Sequence, residues 1–332
     1  MNMMRNIRLL AAGLAMACCL ISCSDDDDDL VRGVWERRSD FEGLARSGGI
    51  AFTIGDQAFV GLGFDGSDYL QDFWQYDKAK NTWYRMADFP GPARSSAIAF
   101  SAGGKGYVGT GYNGSEYFRD FWEYNPGTGQ WSPVAELPAP ARYGAIAFSI
   151  DDKGYVGAGY NGNYLKDFWM YDPRSGEWQQ KVSISGSKRN NAFAFAIGGR
   201  GYVGSGIDNG TYSDELWEYD PAADIWIEKR DLIDEDDEYG YDPPSPRESA
   251  VAFVIGDKAY LCGGATPGTL GDLWEYDPSS DTWEQLEYLE GSARQGAAGF
   301  AVGGRGYITT GRSSSLRFDD LWELDPMGYE EE

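Results

Sequence analysis

The chain has 332 residues, with 53 acidic against 28 basic side chains, a net charge of −25 and no histidine. So acidic a chain, without a basic stripe, repels phosphate, which disfavours a nucleic-acid role. The lack of histidine removes Ser-His-Asp and Cys-His nucleophiles, imidazole bases and most zinc or copper centres.

In chain order, residues 1–22 read as a secretion signal. Arg5 and Arg8 precede an apolar run, 9–21, that is too short to span a bilayer comfortably. Leu20-Ile21-Ser22-Cys23 resembles a bacterial lipobox. That resemblance implies cleavage before Cys23 and acylation of that residue, with several lipid chains giving a stable membrane anchor. Residues 23–33 then form an acidic tether containing the aspartate run 25–29. Such a run resembles the export tag of surface lipoproteins in Bacteroidota-type bacteria; its plain reading is a solvated linker. The expected location is the outer membrane, exposed at the cell surface or facing the periplasm. Cleavage also removes Cys18 and Cys19, so Cys262 has no partner for an intrachain disulfide apart from the acylated Cys23.

From residue 34 to 326 one ruler governs the chain. Six tryptophans stand at Trp74, Trp122, Trp169, Trp217, Trp274 and Trp322, and five more follow nine residues later, at Trp83, Trp131, Trp178, Trp226 and Trp283. Trp35 is the remaining one, and Trp322 is the one without a mate downstream. Each unit opens on an arginine: Arg46, Arg94, Arg142, Arg189, Arg247 or Arg294. A period near 48 residues with internal turn signals means a solenoid, a propeller or an array. In the second unit, residues 96–101, 107–111, 120–124 and 130–134 read as four short strands joined by Gly- and Asn-rich turns. In the third strand Trp122 and Tyr124 share one face and Phe121 takes the other, so the sheet must be covered on both sides. Sheets stacked around an axis meet that need. Residues 34–38 align with residues 82–86, so the N-terminal segment is expected to complete the last sheet as its outer strand. Residues 327–332 remain as an acidic tail.

The arginine with small residues after it, the Gly-rich second strand, the Tyr before an Asp-Pro turn and the following Trp resemble the kelch repeat over residues 34–326. The resemblance implies an all-β, six-bladed kelch-type β-propeller with four antiparallel strands per blade. One departure stands out: the paired glycines usual after the second strand occur only at Gly263-Gly264. Kelch propellers include copper-radical sugar oxidases, whose histidine ligands this chain lacks. They also include sialic-acid mutarotases, which imply carboxylate acid/base chemistry and an arginine for the sugar carboxylate.

In a four-strand meander, the segment leading into strand one and the loop between strands two and three lie at the same end, and both vary in length here. That loop face is the expected site. On it Arg94, Arg142, Arg189 and Arg247 are candidate anion-binding groups; alternatively all six arginines pair with Asp72, Asp120, Asp167, Glu215, Asp272 and Asp320 inside the blades. Tyr112, Tyr160, Tyr164 and Tyr212, with Phe64, Tyr69 and Tyr117, are candidate stacking groups or blade-end caps. Glu248 and Glu116 are the candidate acids, with no catalytic residue assigned. An acidic insertion, 231–246, carries Asp234, Asp236, Glu238 and Asp242. It reads as a solvated loop, a contact for a cationic partner or a calcium site, although its spacing is not that of an EF-hand. No other cofactor is expected. The leading expectation is a non-catalytic, lipid-anchored binder of a glycan or protein, monomeric or within an envelope complex; a sugar mutarotase or epimerase and an envelope scaffold are the alternatives.

Overall fold

A computed structural model describes residues 31–234 and 242–329. These residues form six four-stranded antiparallel sheets and three two-stranded ribbons. The kelch-type propeller is therefore observed, and none of the described residues is helical.

Blade two shows how sequence sets the strands: Ile98–Ala102, Lys105–Gly109, Phe121–Asn125 and Gln130–Val134. The first strand starts two residues later than its apolar pattern suggests, because Ser96 takes a left-handed backbone, φ +52°. The second ends earlier because Thr110 does the same, φ +60°. Gly103 and Gly104, both at positive φ, form the tight turn between them.

Blades lock through an aromatic placed six residues after each arginine. Phe52 of blade one covers Gly106 of blade two so closely that a Cβ there would stand 2.2 Å from the ring. Phe100 and Gly154 repeat the contact between blades two and three, at 2.1 Å. The Gly in the recurring Gly-Tyr-Val-Gly motif is thus an inter-blade socket.

Closure follows the tryptophan ruler. Arg32–Arg37 pairs antiparallel with Leu321–Tyr329 at the outer edge of blade six, in the order first strand, last strand, Arg305–Thr309, Ala298–Val302. Both closing strands are longer than expected. Arg32 pairs with Tyr329, so residues 327–329 extend the sheet instead of belonging to a tail. Trp35 is buried in a cluster with Leu286, Leu289 and Leu324.

The segment 231–246 also needs correcting. Leu232 is buried at 1 % exposure and its N–H donates to Asp214 O at 2.7 Å. It is one of a series six residues beyond each outer tryptophan: Phe41, Phe89, Leu137, Ile184, Leu232 and Leu289, all buried. The framework therefore includes Leu232, and the extra length begins after it.

Candidate functional site

Each rim arginine is a structural node. In blade two, Arg94 Nη1 and Nη2 donate to Asp120 Oδ1 and Oδ2 at 2.6 and 2.9 Å. Nε donates to Pro92 O and Nη1 also to Thr110 O, both at 2.9 Å. Trp122 Nε1 donates to the same carboxylate at 2.9 Å. Phe89 and Phe118 lie against the guanidinium at 5.0 and 4.1 Å. Arg142 and Arg247 repeat the two-pronged pairing with Asp167 and Asp272, and Arg46 and Arg294 with Asp72 and Asp320. Arg189 pairs with Glu215, whose longer side chain also accepts from Ser187 N. All six arginines are buried. Arg94, Arg142, Arg189 and Arg247 are therefore not ligand-binding groups: their forks are filled by carboxylates of their own blades and they are closed off from solvent.

The nodes also explain the departure in the glycine pattern. The residue sixteen positions after each arginine lends its carbonyl to that arginine's Nη1: Leu62, Thr110, Ala158, Ser205, Gly263 and Thr310. All six have positive φ, from +54° to +67°, so in the five blades other than that of Gly263 the first residue of the kelch glycine pair keeps its backbone without being glycine. Thr110 is β-branched, and its buried hydroxyl has no partner. Thr110→Gly should raise stability by about 1 kcal/mol, by relieving the left-handed strain. A lowered melting temperature would contradict this reading.

The same pairs set the acid limit of stability. Burial alone would raise Asp72, Asp167 and Asp320, but the hydrogen bonds and charge of Arg46, Arg142 and Arg294, with the tryptophan N–H, hold all three carboxyls below the ordinary range. With folded values depressed, the unfolded chain takes up protons first. Their contribution is complete above the ordinary aspartate pKa of about 4 and is lost as pH falls through the folded values. Urea midpoints should accordingly stay level near neutrality and fall steeply below about pH 4; a profile that stays level through acid would contradict the pairing.

Two residues past each arginine the chain forms a ring around the axis. The Gly48 N–H donates to Gly296 O, Gly296 to Ser249, Ser249 to Asn191, Asn191 to Gly144, Gly144 to Ser96 and Ser96 to Gly48, over 2.8–3.0 Å. All six residues have φ between +52° and +64°. Beneath the ring the axial channel, about 180 Å³, is lined by small residues such as Ala97, Ala145, Ala192 and Ala250. Above it, on the loop face, opens a depression of about 350 Å³ bordered by Phe64, Ser95, Asn191, Glu248, Arg312 and Arg317. The mouth therefore combines segments leading into strand one with loops between strands two and three, as the meander argument requires.

Around this mouth the six-fold pattern breaks. Phe64, Tyr69, Tyr112, Tyr117, Tyr143, Tyr160 and Tyr164 form one continuous run of ring contacts across blades one to three, with neighbouring centroids 4.8–6.1 Å apart. All seven are half-buried. Burial, then its neighbouring phenols, raises the pKa of Tyr143. The structure brings Tyr112, Tyr160 and Tyr164 together but leaves Tyr212 outside the arc, in a ribbon pairing with Ile207. Burial raises the Tyr212 phenol, and the Glu248 charge adds to the shift. Sequence reasoning missed Tyr143, although its place immediately after Arg142 was a usable signal. It also read as plain loops the ribbons Ile207–Asp208 with Thr211–Tyr212, Ala265–Thr266 with Gly268–Thr269, and Arg312–Ser313 with Leu316–Arg317.

The two candidate acids do not share a site. Glu248 borders the depression and accepts Asn191 Nδ2 at 2.8 Å. Glu116 is exposed in a loop turn where its N–H donates to Asn113 Oδ1 at 2.8 Å. Within the insertion Asp234 and Asp242 are described, while Asp236 and Glu238 lie outside the described residues, as do Cys23, the leader, the tether up to residue 30 and the final residues 330–332. Among the described residues, no three acidic or cysteine side chains gather as a metal site. Cys262 is buried, which pushes its thiol up to about 12.

Fold and repeat nodes together define a kelch-repeat six-bladed propeller. The model of the KLHDC2/KLHL20/DRC7 kelch-repeats domain matches residues 43–190, and the kelch motif matches residues 246–289. Among curated proteins, the chain is similar to an N-(sulfonatooxy)prop-2-enimidothioate sulfolyase of Thlaspi arvense, with 33% identity over 94 residues, covering 26% of this chain and 27% of the relative. It is also similar to an F-box/kelch-repeat protein of Arabidopsis thaliana, with 33% identity over 91 residues, covering 25% of this chain and 24% of the relative. The matches thus span about a quarter of the length of these relatives. Among solved structures, that of YjhT superposes with a TM-score of 0.71 at 18% identity, covering 86% of this chain and 95% of the other, a likeness of fold.

Proposed function

We propose that the chain is a non-catalytic recognition propeller that holds a glycan or a protein segment on its loop face, carried on an outer-membrane lipid anchor. Kelch propellers generally mediate protein binding. The observation that carries the reading is the tyrosine arc. Framework groups repeat around the ring, whereas this run of seven half-buried aromatics occupies three blades of the loop face, and its first ring, Phe64, borders the mouth. Tyrosine offers an apolar face and a polar tip at small entropic cost, which suits sugar rings and peptides alike. The lipobox-like residues 20–23 and the aspartates 25–29 support the anchor.

A mutarotase finds less support. Its acid and base must meet at one anomeric centre, whereas Glu116 stands away from the mouth that Glu248 borders, and the six node arginines are closed within blades. The test is a glycan and peptide screen by thermal shift, repeated with Tyr112→Ala and Tyr143→Ala. A binder gives stabilising ligands whose effect falls in both variants, with no speeding of anomer exchange. A chain that accelerates exchange, or whose ligands are indifferent to both substitutions, contradicts the proposal. For the anchor, radiolabelled palmitate should be incorporated by the native chain and not by Cys23→Ala.

A further inference from the structure

We propose that Arg312 and Arg317 form the anion-holding end of the loop-face site and take a single carboxylate group of the ligand. The inference rests on the loop-face reading above. It begins with the positions these two residues occupy. The facing pair in the loop between strands two and three is Phe64/Tyr69, Tyr112/Tyr117, Tyr160/Tyr164, Ile207/Tyr212 and Ala265/Thr269 in blades one to five. In blade six it is Arg312/Arg317. Two cations thus stand where the other blades present neutral side chains, next to Phe64, the first ring of the arc.

The bonding of the pair is the second observation. Acids outnumber bases 53 to 28 in this chain, and each of the six node arginines holds a carboxylate. Among the described residues, Arg312 and Arg317 hold none. Among the described residues, the Arg312 side chain reaches Ser314 O and Gln295 Oε1, both at a long 3.4 Å. Arg317 donates to Phe64 O at 3.0 Å and Ser315 O at 3.2 Å, and its guanidinium lies 5.0 Å from the Phe64 ring. Asp65, whose carboxylate feels the charge of Arg317, accepts the Ser67 and Asp68 amides instead. Both arginines border the same depression and are half-buried. A guanidinium fork matches a carboxylate in shape and charge, and partial burial strengthens the match.

Charge elsewhere sets the limit to one anionic group. Glu248 borders the same depression, and the chain carries −25 overall. A polyanion would meet repulsion beyond the arginine pair, whereas one carboxylate stays within a screening length of it. The carboxylate can belong to a uronic acid or to an acidic peptide, with the neighbouring sugar or side chain stacked on Phe64 and Tyr69.

The experiment titrates the full-length protein with methyl galactosiduronate and its methyl ester, with a Gly-Tyr-Glu amide and its Gln counterpart, and with phenylacetate and phenylacetamide. Calorimetry and the arginine Nε–Hε NMR signals are read together. The expected result is that at least one acid binds about tenfold or more tightly than its neutral partner and shifts the Arg312 and Arg317 signals. The double variant Arg312→Gln/Arg317→Gln should lose that preference, with its melting temperature showing that it is folded. Which acid wins distinguishes sugar from peptide. Neutral probes binding as well as acids, a preference surviving in the double variant, or no shift at either arginine with any acid overturns the proposal. Neutral probes that still depend on Tyr143 would then leave the loop-face reading standing; ligands indifferent to Tyr112 and Tyr143 would remove both.

Discussion

Arg247→Ala is expected to lower unfolding stability by about 3–5 kcal/mol, the cost of stranding one partner of a buried ion pair. The substitution deletes donors to Asp272 Oδ1 and Oδ2, both at 2.7 Å, to Gly263 O at 3.0 Å and to Ser245 O at 2.8 Å. Asp272 is left at 8 % exposure with the Trp274 N–H as its remaining side-chain donor. Arg247→Lys should recover little, because a single ammonium cannot serve two carboxylate oxygens and two carbonyls at once. Denaturant unfolding measures this. A variant as stable as the native chain would show that the arginine is a rim group held for a ligand and not a node holding the blade.

Trp35→Ala should cost a similar amount, roughly 3–5 kcal/mol, by emptying a buried aromatic site. The side chain is 3 % exposed, and its indole N–H donates to Glu287 O at 3.3 Å. Its position makes the loss reach beyond one blade. The strand Arg32–Arg37 is the piece by which the first residues of the fold close the last sheet. Arg32 also ties that strand to Glu275 and Glu284, and Arg38 ties the chain just beyond it to Glu323. The expected result is a lower melting temperature together with faster hydrogen exchange along Leu321–Tyr329, the strand it covers. Normal protection there would mean that the ring closes without Trp35.

The architecture was legible because its essential groups recur in every blade. The tryptophans, the arginines and the acids two residues before the third-strand tryptophans share one spacing, and the structure joins each arginine to the expected acid. Whether those arginines faced a ligand was not legible, since burial depends on neighbouring segments that spacing does not reveal. The left-handed residues divide in the same way. Gly48, Gly144, Asn191 and Gly296 are types that tolerate positive φ and could have been recognised, whereas Ser96 and Ser249 are not. Leu62 and Thr110 carry no such signal, because an arginine from elsewhere in the blade holds their carbonyls. The site was half visible. Individual tyrosines marked the loop face, but Tyr143, which links two of its loops, and Arg312 and Arg317, which have no chemical likeness to the tyrosines they replace, emerge only when the blades are superposed in space.

The claim that the tyrosine arc is the recognition surface is tested most directly by hydrogen exchange of the full-length protein with and without ligands from the glycan and peptide screen. The account predicts protection in residues 64–69, 112–117, 143 and 160–164, on the loop face. Protection centred on the hairpin turns at 55–56, 103–104 and 151–152, at the opposite end of the propeller, would contradict it.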